Sequence, residues 1–213
     1  MLLLPNSIAG IESCNPLGVG RQEADFFGDV RRFVESFGVN VHLKRMDIEK
    51  PGEFDGLSIT INPKHDPVAA AFYLAHAFGS IVQWSTDFAG AKKVFDDLAD
   101  AKKQRQKARA GFEAALSRYR AFEQTSSEHA VWLLTQAGHG GAIQPYTVFF
   151  RADIEAMTIF HRTGKAPDWP DFFADWKRQV ATGEIRIEPF KPRPFARFRP
   201  VKIDQQEVLQ ERD

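Results

Sequence analysis

The sequence predicts an α+β fold, a small β-sheet beside a helix-rich body. Two short runs near the start alternate apolar and polar residues, the period of half-buried strands. Several longer runs repeat apolar residues every three or four positions, the period of helices packed on one face. Hydrophobic residues make up 43% of the 213 positions, enough for a sizeable core, and 19 phenylalanines assign much of that core to aromatic packing.

Residues 1–20 hold Pro5, Gly10, Pro16, Gly18 and Gly20 and read as an irregular arm. From Arg21 to Phe37, apolar residues at Ala24, Phe27, Val30, Val34 and Phe37 predict an amphipathic helix, with Gly38 placed to end it. Val39, Val41 and Leu43 alternate with Asn40 and His42 as a first strand. Pro51, Gly52, Asp55 and Gly56 mark 47–56 as a turn. Leu57, Ile59 and Ile61 form a second strand, paired with the first as a hairpin or set apart from it in one sheet.

Asp66-Pro67 opens the next helix. Asp66 is suited to accept from a free backbone N–H as N-cap, and Pro67 suits the first helical position. Val68, Ala71, Phe72, Ala75, Phe78 and Val82 give it a broad apolar face, and Gly79 leaves a gap where a backbone or ligand can come close. Residues 87–122 read as a long helical segment, interrupted by the polar run "KKQRQKAR", so a helical hairpin or a projecting arm is expected. A further helix is predicted to start near Thr125 or Ser126 and to stop at "GHGG", 138–141. Helices at 145–161 and 168–183 follow, the second capped by Gly183, then a short strand at Ile185 and Ile187. The tail "PFKPRPFARFRP" is proline-rich and predicted to be extended. The domain reading is thus an arm at 1–20, one domain at 21–190, and an extended basic and aromatic tail at 191–213.

Lysine plus arginine and aspartate plus glutamate are 28 each, so no overall basic field argues for nucleic acid or an anionic membrane. The single cysteine, Cys14, excludes an internal disulfide and any cysteine-cluster metal site. "MLLL" is too short for a signal-peptide core, and no apolar run approaches the ~20 residues of a membrane span. A cytoplasmic protein is expected.

The stretch "AAFYLAHAFGSIVQW", 70–84, sets His76 where the zinc-peptidase motif H-E-x-x-H has its first histidine. That motif needs two imidazoles one helical turn apart on one Zn²⁺, with the glutamate acting on the metal-bound water. Here the glutamate position is Ala77, which cannot act as a base, and the second histidine position is Ser80, a poor zinc ligand. A lone histidine on a buried helix also has a purely structural reading.

The order of helix, "FGVNVHL" strand, "DGLSITINP" strand and "AAFYLAHAFGSIV" helix resembles the ImmA/IrrE-type metallopeptidases, whose motif helix has the form FTLAHELGH. "FYLAHAFGS" keeps Leu74, Ala75, His76 and Gly79 of that pattern. The resemblance spans about 21–137 and implies a zincin-like centre with 87–122 as an insertion. It also implies a third ligand from a later helix ending in Leu-Leu. "EQTSSEHAVWLL", 123–134, looks like that helix, and Glu123, Glu128 and His129 are its ligand-capable residues. Against this, Thr125-x-x-Glu128 also reads as a capping box that needs no metal.

Three functions follow as expectations. The first is a metallopeptidase-like domain that has lost hydrolysis and serves binding or regulation, with no cofactor. Relatives of this kind act with transcriptional repressors or in toxin–antitoxin and mobile-element systems, which suggests a protein partner. The second is a metal-dependent peptidase with a site rebuilt around His76, which would hold zinc. The third is an interaction module using the 87–122 helices and the tail, with Lys102, Lys103, Arg105, Lys107 and Arg109 as candidate partner contacts. That basic run also reads as a solvated helix face, and "RPFARFRP" reads as a peptide that docks on a partner or packs on its own domain.

Overall fold

A computed structural model describes residues 20–46, 51–104 and 108–203, with side chains from Asp25 onward. The N-terminal arm with Cys14, and the basic residues Arg105 and Lys107, lie outside the described residues. Helix α1 spans Gly20–Glu35, followed by strands β1 (Asn40–Leu43), β2 (Gly52–Phe54) and β3 (Ser58–Ile61). Helices α2 (Pro67–Thr86), α3 (Phe88–Gln104) and α4 (Arg109–Gln136) come next, then α5 (Ile143–Thr163) and α6 (Trp169–Ala181). Among the described residues the protein is helix-rich with one three-stranded sheet, an α+β architecture.

Strand β3 is central, parallel to β1 with Val41 opposite Ile59, and antiparallel to β2 with Phe54 opposite Ile59. The alternation in β1 and β3 turns Val41, Ile59 and Ile61 into the core. The two are therefore neighbours in one sheet and not a hairpin. The reading of 47–56 as a turn needs correction, since Gly52–Phe54 is an edge strand. Gly52 mimics a turn residue but is there for space: a Cβ would collide with the Thr60 carbonyl and the Tyr73 ring.

Asp66 caps α2 through its side chain, accepting from the N–H groups of Val68 and Ala69 at 2.9 and 3.0 Å. The helix is buried almost all round, because α1, α3, α4 and the sheet pack about it. Segment 87–122 is a hairpin and not one helix: α3 ends at Gln104 and α4 starts at Arg109. Leu98, Phe112, Leu116 and Tyr119 join Met157 of α5 in a second core between its arms.

Helix α4 then runs unbroken to Gln136, so no helix starts at Thr125 or Ser126. The serines there imitate a cap but satisfy their hydroxyls otherwise. Ser127 donates back to the Glu123 carbonyl at 3.0 Å, and Ser126 accepts from Gln83 of α2 at 2.6 Å.

Ile185 and Ile187 do not form a strand. The extended segment after α6 is held as a strap across the body. Phe190 is buried, its N–H donating to Thr147 Oγ1 at 3.3 Å; Arg193 N–H donates to the Glu128 carbonyl, and Ile203 N–H to that of Asp55 at 2.7 Å. Phe195 and Phe198 pack against Phe37 and Phe78. Among the described residues, no helix is long and apolar enough to cross a membrane.

Candidate functional site

The site forms where α2 crosses α4. Gly79 permits the crossing, since a Cβ there would sit within 2.9 Å of the Ser126 carbonyl carbon and closer still to its oxygen. One turn before Gly79, His76 faces Glu123, and their Nε2 and Oε2 atoms are 3.0 Å apart. On the other side of the ring, Nδ1 lies 3.2 Å from the Tyr146 hydroxyl and 3.3 Å from Ser127 Oγ. The ring stacks on Phe150 at 4.2 Å between centroids. Ser127 spends its proton on the Glu123 carbonyl. Both ring nitrogens therefore face a partner, Nε2 the Glu123 carboxyl and Nδ1 the Tyr146 hydroxyl.

The centre is dry. The His76 and Glu123 side chains are 1% and 7% exposed, so their pairing is made in a low-dielectric interior. Burial pushes the Glu123 carboxyl up, but the hydrogen bond and charge of His76, with a further bond from Tyr119, outweigh it and hold the group below the usual carboxylate range. Burial, with the nearby Glu123 and Asp153 carboxyls, raises the Tyr119 and Tyr146 hydroxyls well above their ordinary value. Asp153 on α5 is also buried, and its carboxyl is raised well above the usual range by burial and by Glu123. Neither Asp153 oxygen has a hydrogen-bond partner among the described residues. A carboxyl so placed favours its protonated form.

The structure brings together His76 and Glu123 and leaves the other sequence candidates apart. Ala77 is buried as a methyl group in the core. Ser80 Oγ donates to Ser126 Oγ at 3.1 Å. Glu128 is not a capping residue; it lies within α4, accepts from Gln124 at 2.9 Å and sits 3.6 Å from Arg193. His129 Nδ1 is 2.9 Å from the Arg193 carbonyl oxygen, and burial, with Arg193 nearby, lowers its pKa. On the hairpin, Lys102 lies over the Phe160 ring, Lys103 is 3.5 Å from Asp100, and Arg109 is exposed. Tyr119, Ser127, Tyr146 and Asp153 were not singled out as site residues from sequence. A signal existed for Asp153: it falls on the apolar stripe of α5 between Phe149, Phe150 and Met157.

His76 and Glu123 offer two protein donors to a metal, and Ala77 and Ser80 add none that binds zinc well. A catalytic zinc takes three protein ligands, and no group of three histidine, cysteine, aspartate or glutamate side chains gathers among the described residues. The donor set does not fit a catalytic zinc. Comparison of the chain with protein-family models, with curated proteins and with solved structures returns no match.

Proposed function

We propose that this chain is a zincin-like, metallopeptidase-related domain that no longer hydrolyses peptides and serves a binding or regulatory role toward a protein partner. One observation carries the reading: His76 Nε2 is satisfied directly by Glu123 at 3.0 Å. His76 stands at the family's first ligand position, and Glu123 is one of the three residues, with Glu128 and His129, that the resemblance offers for the third. Here His76 and Glu123 complete each other's hydrogen bonding, and Tyr119, Ser127 and Tyr146 close the shell. No carboxylate stands at position 77 to activate water, and no imidazole at position 80 to complete a ligand set.

Two measurements test this. Protein purified without chelator should carry far less than one zinc per chain and should not cleave peptides. Stoichiometric zinc with chelator-sensitive cleavage would overturn the proposal in favour of a site rebuilt around His76. Restoring Ala77→Glu together with Ser80→His should create zinc affinity, with melting curves showing that the variant folds. A folded double variant with no gain in zinc binding rejects the zincin-like geometry.

A further inference from the structure

The strap that closes the body also builds a cleft. Phe195 and Phe198 turn inward against Phe37, and Trp132 packs on Phe195 at 4.6 Å between ring centroids. With Ser36, Arg197, Arg199 and Pro200 these rings line a cavity of about 850 Å³. Residues 191–203 carry the cations Lys191, Arg193, Arg197, Arg199 and Lys202 and no carboxylate. Two of these are answered locally, Arg193 by Glu128 at 3.6 Å and Lys202 by the charge of Asp55. Arg197 and Arg199 are exposed at the cleft and form no ion pair among the described residues.

We propose that this cleft captures an acidic peptide segment of a partner protein, with an apolar or aromatic side chain on the phenylalanine and tryptophan floor and carboxylates on Arg197 and Arg199. Guanidinium groups beside aromatic rings are the usual anchors of protein interfaces, and their planar fork matches carboxylates. The volume is that of a site for a drug-sized ligand, room for a short peptide segment with several side chains. Phe195 packs edge to face on Phe37, Trp132 and Phe198, while Phe37 and Phe198 stack on each other at 6.1 Å, so these faces are engaged within the floor and do not form the row on which successive bases would stack. The inference is independent of the metallopeptidase-like reading, since the cleft shares no lining residue with the His76 centre.

The test is fluorescence anisotropy on the full chain. The probes are labelled peptides of about twelve residues in which glutamate alternates with leucine, phenylalanine or tryptophan, the same peptides with lysine for glutamate, and an oligothymidine of equal length. The acidic peptides should bind. Arg197→Glu with Arg199→Glu should weaken them by about tenfold or more, as expected for reversed charge partners, without changing the melting temperature. Lys102→Glu with Lys103→Glu should leave binding unchanged. Three results each overturn the proposal: acidic peptides binding no better than basic ones, binding that survives the double arginine reversal, or oligothymidine binding preferred over the peptides.

Discussion

Gly79→Ala is the sharpest probe of how this site is assembled. In an isolated helix, alanine for glycine stabilises by about 1 kcal/mol. At Gly79 the added methyl would lie 2.9 Å from the Ser126 carbonyl carbon and 3.2 Å from its Cα, where ordinary contact begins at 3.4 Å. The carbon alone requires α2 and α4 to part by about 0.5 Å (3.4 − 2.9), and the carbonyl oxygen requires more. A gap of 0.5–1 Å forfeits about a quarter to a half of each dispersion contact it opens, and overpacking a well-filled core costs about 1–3 kcal/mol or more. Because the obstacle is backbone and cannot swing aside, the cost falls at the upper end, about 3 kcal/mol, and subtracting the propensity gain of about 1 kcal/mol leaves a net loss of about 2 kcal/mol, or about 4–8 °C in melting temperature for a chain of this size. Gly111→Ala is the control, since Gly111 is exposed on α4 with nothing within 4 Å of its added Cβ. It should stabilise by about 0.5–1 kcal/mol. Calorimetry on both variants decides the matter: Gly79→Ala matching or exceeding the wild type would refute the close crossing, and with it the pairing of His76 with Glu123.

Asp153 keeps its proton in the folded state at pH values where the unfolded chain has released it, so it makes stability fall as pH rises above about 3.8. Asp153→Asn should remove that slope, which is at most about 1.4 kcal/mol per pH unit, and raise stability at pH 7 relative to pH 4 in urea titrations. His161 acts with the opposite sign. Burial, with Lys102 nearby, lowers it to about 4 from 6.5, so its stabilisation is complete above pH 6.5 and is lost as pH falls toward about 4. His161→Phe, facing Tyr119 and Phe160, should flatten the wild-type decline across that window by up to about 3 kcal/mol, and an unchanged profile would count against its burial. Ile203→Ala, at a buried contact with Gly56 and in the Trp84 cluster, should cost about 2–4 kcal/mol in chemical denaturation. A neutral result would mean that the strap does not complete the body.

The α+β class, the two alternating strands, the Asp66-Pro67 start of α2 and the helical nature of 87–122 were legible because each depends on local spacing and local hydrogen bonds, whereas the choice between a hairpin and a projecting arm there needed the packing of α3 on α4. Strand β2 was hidden because Gly52, needed for space beside Tyr73, looks like a turn residue. The start expected at Thr125 failed because a cap is a competition. Ser126 and Ser127 found partners on the preceding turn and on α2, so the helix had no reason to stop. The sequence by itself determined that no glutamate stands at position 77 and no histidine at position 80, which are facts of composition at single positions. Only the tertiary structure decided which acidic residue faces His76. Glu123, Glu128 and His129 are near neighbours along one chain, but a helix turns 100° per residue: the close crossing at Gly79 brings Glu123 to His76, while His129, also buried, is turned to the strap at Arg193 and Phe195.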